Sequence, residues 1–421
     1  MISLPSAILR LAIASLIFVS SAGIAAKKHS KARSGAKAIP AATLAAVPAV
    51  HTRSSAGPEG ALTGVLEALD ANRLDLATQR VEALIAAHPN FRLAHLIRGD
   101  LLLARARPLE TFGNVPKTVP REKVDDLRAE ALLRLRAVRD RPNGERVPRY
   151  ILQMHAEQRY ALVVDSRRSR LYVFENVGGR AHFIADYYVT LGKNGMEKTR
   201  EGDQKTPIGV YHVTANLPRQ KLSDFYGAGA FPINYPNAWD RRLGRNGHGI
   251  WLHGVPSDVY SRAPRASDGC IVLANSDLQS VAPMLQVGLT PVIIADEIEW
   301  SDAADVEKER AALAAALEQW RTDWQSRDTE RYLAHYSSRF AASGQNLAAW
   351  SAHKRKVNGA KQWIKVGLSR VAMFRYPRER DFVVVTFDQD YKSSGLSNVM
   401  RKRQYWVKEG AAWKIIYEGS G

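Results

Sequence analysis

The spacing of apolar residues changes character along the chain, and each change marks a new unit. Leu62, Val65, Leu66 and Leu69 share one helical face, Asn72-Arg73 interrupts it, and Leu76 to Ala87 resumes it until Pro89-Asn90. Further helices are predicted from Phe91 to Arg105 and from Arg121 to Arg139, the latter with Val124, Leu127, Ala131, Leu135 and Val138 inward. At Tyr160 the period shortens to that of strands. Ala161–Val164 and Leu171–Phe174 flank the turn Ser166–Ser169, and strands follow at 183–190, 209–214, 250–253 and 291–295. Long loops rich in Gly, Pro and Asn join them, the setting in which binding and catalytic residues usually sit. After Trp300 the pattern predicts helices at 306–325 and 329–340, then strands at 363–368, 371–376, 382–388, 401–408 and 413–418. Helices followed by an antiparallel meander describe an α+β unit. The expected architecture is multidomain: an α-helical amino-terminal module (58–150), a mostly β domain (159–296) and an α+β domain (301–421).

The first 57 residues contribute nothing to these cores. Arg10, the apolar run Leu11–Ala26 and Lys27-Lys28 have the layout of a signal peptide over residues 1–26. The run is shorter than the ~20 residues of a membrane span, and both a cleaved signal and a retained anchor fit it. Residues 27–57 are rich in Ala, Ser and Pro, carry Lys and Arg without any acidic residue, and read as a flexible basic linker. A net charge of +18 favours an anionic partner, either nucleic acid, anionic lipid or an acidic cell-wall polymer. Export argues against nucleic acid and leaves an anionic wall or membrane surface.

A single cysteine, Cys270, excludes an intramolecular disulfide and every Cys-rich zinc site. It follows Ser267-Asp268-Gly269, and sixteen residues separate it from His253 in His248-Gly-Ile-Trp-Leu-His253-Gly254. A thiol becomes a nucleophile when an imidazole takes its proton and a positive neighbour stabilises the thiolate. Such activation would let Cys270 react well below the ordinary thiol range. The amides of Gly269 and Cys270 are candidate oxyanion donors. On one continuous strand His248 and His253 would face opposite sides, so only one can serve Cys270. Gly254 beside His253 favours the latter.

His253-Gly254 and Ser267-x-Gly269-Cys270 resemble the signature of the YkuD-type L,D-transpeptidases, exported peptidoglycan enzymes. Gly202-Asp203-x-x-Thr206-Pro207-x-Gly209-x-Tyr211 is similar to a second segment of that family. The resemblance covers about residues 159–296. Many members carry His where Asp268 stands, and Arg or Asn where Val272 stands. The cell-shape L,D-carboxypeptidase branch resembles this chain more closely, including a helical amino-terminal module and a carboxy-terminal domain similar to nuclear transport factor 2. The family implies Cys270 as nucleophile, His253 as general base and then acid, and the Gly254 carbonyl as the group orienting the imidazole. Its substrate is the tetrapeptide stem of peptidoglycan, cleaved before the terminal D-Ala with an amine or water as acceptor. No metal or cofactor is implied.

Tyr235, Trp251, Arg262, Arg265 and Ser267 lie near the motif as candidate substrate contacts, and an arginine suits a stem carboxylate. Core packing explains Tyr235 and Trp251 equally well. A non-catalytic wall-binding scaffold that kept the fold is the competing class. The first three helices resemble tetratricopeptide helices, and the module reads as a packing or dimerisation unit. Trp363, Tyr405, Trp406 and Trp413 either line a pocket of the carboxy-terminal domain or fill its core. No acid–base pair stands out there, and no second active site is expected.

Overall fold

Four amphipathic runs become four helices because their apolar residues find one another. In the computed structural model, residues 57–116, 118, 121–140, 146–342 and 344–421 are described; the signal-like segment and all but the last residue of the basic linker lie outside them. Helices α1 (Pro58–Asp70), α2 (Leu74–Ala87), α3 (Arg92–Ala104) and α4 (Arg121–Arg139) match the predicted pattern. Proline suits the first turn of α1, where its missing amide has no intrahelical acceptor to lose. Leu62, Leu66, Val81, Leu84, Ile97 and Ala131 form their common core, which Tyr260 and Ala274 of the next domain complete. Arg146–Pro148, grouped with the helices on sequence grounds, is instead a strand, β1, followed by β2 (Ile151–Gln153).

The central domain is built from β3 (Tyr160–Asp165), β4 (Arg170–Val177), β5 (Arg180–Tyr188), β6 (Leu191–Gly192), β7 (Gly209–His212), β8 (Leu217–Pro218) and β9 (Gly229–Pro232). Helix α5 (Ala238–Arg242) precedes β10 (Trp251–His253), β11 (Arg265–Ser267) and β12 (Ile271–Val272), and α6 (Asn275–Val281) precedes β13 (Pro291–Ala295) and β14 (Trp300–Asp302). One sheet has the order β5-β4-β3-β13-β7, a second β12-β10-β9-β8. Leu162 and Val164 face the core shared with Phe231, Leu252 and Ile271 of the second sheet. Ala161 and Val163, one step out of phase, face the opposite way toward Phe374, Val384 and Tyr405 of the carboxy-terminal domain. Burial on both faces explains why β3 reads as an unbroken apolar run.

The carboxy-terminal domain comprises α7 (Ala303–Ser326), α8 (Thr329–Leu333), β15 (Ala341–Ala342), β16 (Gln345–Asn346), α9 (Leu347–Gly359), β17 (Ile364–Arg375), β18 (Phe382–Ser393), β19 (Leu396–Glu409) and β20 (Ala412–Ser420). Its sheet, β2-β17-β18-β19-β20, recruits β2 from far upstream. The helix expected over 329–340 stops at Leu333, because Ser337 donates its amide to Ile415 and Ile415 donates to His335. The two strands expected over 363–376 are one strand, bulged between Ser369 and Ala372, with Arg370 left-handed at φ 51°. Trp406 and Trp413 pack in the core under α7, Tyr405 faces Trp239 of the central domain, and Trp363 is exposed, so these four residues line no common pocket.

Candidate active site

Parallel pairing of two short strands brings the cysteine and the histidine together. Leu252 pairs with Ile271 and His253 with Val272. Continuing that register one residue back sets Cys270 beside Trp251. Side chains two apart on a strand share a face, so Trp251, His253 and Cys270 share one. The Cys270 thiol donates to the Gly249 carbonyl at 3.3 Å. His248 lies outside the strand, between Gly247 and Gly249, both at positive φ; it is exposed and sits 3.4 Å from Glu201. The two histidines are thus separated by a loop, not by alternation along one continuous strand.

His253 is buried, and its Nδ1 lies 2.6 Å from the Gly254 carbonyl. A carbonyl can only accept, so this contact assigns the proton to Nδ1 and leaves Nε2 as the basic nitrogen. Burial, opposed by the Gly254 contact and assisted by the charge of Arg262, lowers the imidazole to about 4. Burial likewise pushes the Cys270 thiol up to about 11, against the Trp251 amide, which favours the thiolate. The resting pair is therefore neutral thiol and neutral imidazole. At the thiol desolvation outweighs the nearby positive charges, so its shift runs away from the activated form.

The turn carrying Cys270 is held from below. Gly269 has φ 120°, and a Cβ there would lie 2.6 Å from the Lys205 carbonyl. Thr206, fully buried, donates to the Gly269 carbonyl at 3.0 Å and accepts from the Gly192 amide at 2.9 Å. Asp203 accepts from Lys198 at 2.8 Å and from the amides of Thr199, Arg200 and Lys205, which hold its carboxyl down at about 2 despite burial. The Gly202–Tyr211 segment is thus the platform beneath the Cys270 turn. Ser267 donates to the Cys270 carbonyl at 2.7 Å and accepts from the Gly269 amide at 3.2 Å. It braces the turn, its hydroxyl engaged on both sides by the backbone. The Gly269 amide, one of the two expected oxyanion donors, is thus turned toward Ser267 Oγ.

The remaining candidates separate. Tyr235 is buried in the core, its hydroxyl donating to the carbonyls of Asn246 (3.0 Å) and Lys198 (3.2 Å). Arg265 reaches back to Ser166 Oγ at 2.9 Å. Both are scaffold. Trp251 and Arg262 stay at the site: Trp251 packs against Tyr226 with ring centres 4.9 Å apart and planes tilted by 36°, and the Arg262 guanidinium lies 4.7 Å from the Phe225 ring centre. Phe225 and Tyr226, which the sequence reading missed, flank His253 at 5.7 and 5.2 Å. The signal available was an aromatic pair in a loop closed by Gly227. Asn275 was missed as well. Its Oδ1 accepts from the amides of Ala228 (2.8 Å) and Val255 (3.2 Å), and its Nδ2 donates to the Val255 carbonyl at 2.8 Å. A Cβ on Gly254 or Gly227 would collide with that Oδ1, so both glycines are required where Asn275 ties the two turns together.

Known proteins resemble the chain over its central and carboxy-terminal parts. The L,D-transpeptidase catalytic domain model YkuD matches residues 159–294, and the Cds6 C-terminal NTF2-like domain model matches 312–419. YafK of Escherichia coli (strain K12), a candidate L,D-transpeptidase, is 29% identical over 135 residues, 31% of this chain and 53% of YafK. The chain thus spans about half the length of the curated relatives it matches. Bd1075 of Bdellovibrio bacteriovorus is 32% identical in a structural match covering 66% of this chain and 98% of that one, with a TM-score of 0.57. The helical cell shape determining protein Pgp2 from Campylobacter jejuni shares the fold at 23% identity, covering 66% of this chain and 96% of its own, with a TM-score of 0.55. Among the described residues, no helix is long and apolar enough to cross a membrane.

Proposed function

We propose, from the YkuD L,D-transpeptidase catalytic domain and the NTF2-like carboxy-terminal domain that the chain carries, an exported, cysteine-dependent acyl transfer on peptidoglycan tetrapeptide stems. The observation that carries it is the buried imidazole, fixed through Nδ1 at 2.6 Å by Gly254 and sharing a strand face with Cys270. As Cys270 Sγ attacks the carbonyl between the diamino acid and the terminal D-Ala, its proton passes to His253 Nε2. The Cys270 amide stabilises the oxyanion. The C–N bond breaks, the imidazolium protonates the departing D-Ala amine, and a thioester remains on Sγ. An acceptor then attacks the thioester while His253 takes its proton, and the thiol returns.

The imidazole, lowered by burial to about 4, is unprotonated at ordinary pH, so Nε2 is open when the thiol, raised by burial to about 11, gives up its proton in concert with attack. Trp251, Tyr226 and Phe225 form the wall against which the stem peptide lies, and Arg262 supplies a positive charge at the mouth.

With an amine on a second stem as acceptor the product is a crosslink; with water it is a tripeptide. The likeness to the L,D-carboxypeptidase branch supports the water route as the second reading. Incubation of the purified protein with tetrapeptide muropeptides, followed by chromatography and mass spectrometry, separates them. Crosslinked dimers support the transpeptidase, tripeptide alone supports the carboxypeptidase, and unchanged substrate would leave the wall-binding scaffold in their place.

A further inference from the structure

The loop between His253 and the nucleophile turn is gripped by the helical module at two consecutive residues and by the central domain at the next. Tyr260 is buried in the module's core, its ring 4.0 Å from that of Phe91. Ser261 donates to Glu130 at 2.7 Å. Glu130 is itself buried and held by Arg134 at 3.0 Å, and Arg134 reaches Glu59 at 2.7 Å. The Arg262 carbonyl accepts from the Tyr188 hydroxyl (3.0 Å) and from Thr190 (3.1 Å), and the Arg134 guanidinium covers the Tyr188 ring at 3.9 Å. The backbone of Arg262 is therefore fixed on one side through Ser261 by the helices, and on the other by Tyr188 and Thr190 of the central domain, with Arg134 of the helices covering the Tyr188 ring.

Its side chain is fixed on the other side. The guanidinium lies over Phe225, which in turn packs on His253. Among the described residues no carboxylate lies within ion-pair distance of it, whereas the neighbouring Lys193 and Lys198 are paired with Asp268 and Asp203. An arginine stacked on an aromatic ring with its fork of donors unspent is a receptor for a carboxylate.

We infer that the helical module is a positioning element of the active site, holding Arg262 where it receives the terminal carboxylate of the stem peptide. The inference rests on the acyl-transfer reading and adds to it the group that recognises the leaving residue. Arg262 is the residue that contacts substrate; Tyr260, Ser261, Glu130 and Arg134 act through it.

The test reads the charge at the thiol without peptidoglycan. In the full chain, Cys270 is alkylated in parallel with anionic iodoacetate and neutral iodoacetamide, and the ratio of the two rates reports a cation at the mouth. Arg262→Ala is expected to lower that ratio about three- to tenfold, the size of a nearby, partly screened charge. Ser261→Ala and Glu130→Gln should each lower it by at least half as much on a logarithmic scale, the ratio cancelling any change in thiolate fraction common to both reagents. With tetrapeptide as substrate the same variants should raise KM more than they lower kcat, and a C-terminally amidated stem should lose that sensitivity. An unchanged ratio in Arg262→Ala would overturn the carboxylate role. A lowered ratio in Arg262→Ala with wild-type ratios in both anchor variants would overturn the part given to the helices. Ser261→Ala removes only a hydroxyl, so it keeps the test available where Glu130→Gln does not fold. Failure of the acyl-transfer reading is recognised separately, as absent D-Ala release with the alkylation pattern intact.

Discussion

Two buried polar clusters, one in the central domain and one in the carboxy-terminal domain, respond to burial in opposite ways. His253 and Cys270 are desolvated without an ion pair among the described residues, the charges of Lys198 and Arg262 being too weak to offset burial of the thiol, and both settle in their neutral forms, near 4 and 11. Glu418 is buried as deeply, but it pairs with Lys402 and accepts from Gln404 (2.9 Å) and the Tyr336 hydroxyl (3.0 Å), which hold it ionised down to about 2. Lys354, over the rings of Trp350 and Trp324, is lowered by burial only to about 8, with Glu418 opposing the shift. Burial with a partner makes a fixed charge. Burial without one makes a proton donor and acceptor that change state only during a reaction.

Breaking each cluster should therefore have different consequences. His253→Ala is expected to reduce D-Ala release about 10²–10⁴-fold, the usual loss of a general base, with the melting temperature nearly unchanged. His248→Ala should fall within a factor of about two of wild type, because that ring is exposed in a loop. Equal losses in the two variants would defeat the assignment of the base. Glu418→Ala should show the reverse pattern of cost: about 3–5 kcal/mol of stability in a denaturant melt, since it strands Lys402 and Lys354 in a dry core. A loss below about 1 kcal/mol would mean that the pair is solvated.

Asn275→Ala sharpens the comparison from the side of geometry. It frees two turns at once, so kcat should fall about tenfold through a loosened Gly254 carbonyl, a displacement effect and not a loss of chemistry. Unchanged kcat would place the orientation of His253 elsewhere.

The smallest effect is on stability against pH. His253 and His212, both lowered to about 4 from 6.5, bind protons more readily in the unfolded chain, so stability falls as pH drops below about 6.5. Cys270, raised to about 11 from 9.0, favours the protonated thiol in the fold, so stability falls as pH rises above about 9. Melting temperatures of His253→Ala and Cys270→Ala against wild type should flatten the acid and alkaline limbs respectively. Parallel curves in all three proteins would contradict the shifts.

What the sequence made legible follows local physics. The helices α1 to α4 and α7 were readable because their apolar stripes are periodic, and the Gly202–Tyr211 and Ser267–Cys270 segments because glycines and prolines mark forced turns. Helix α9 was not readable. Of its residues only Ser351 and Asn358 are buried, so it presents no apolar stripe, and its start is signalled only by Asn346 capping the Ala349 amide at 3.0 Å. Strand β2, three residues long, is a strand only because β17 pairs with it from more than two hundred residues away. At the site, Cys270 and His253 could be named from residue types and spacing. Ser267, Tyr235 and Arg265 could not be sorted from Arg262 in that way, because proximity in sequence does not say whether a polar atom is already spent on a neighbour.

The central claim is a thioester on Cys270 formed with His253 as base. Its most direct measurement is the intact mass of the protein, acid-quenched within one turnover of tetrapeptide muropeptide. The account predicts an adduct on Cys270 equal to the stem minus D-Ala, absent in Cys270→Ala and slow to form in His253→Ala. D-Ala release at the wild-type rate from Cys270→Ala, with no adduct in any variant, would contradict it.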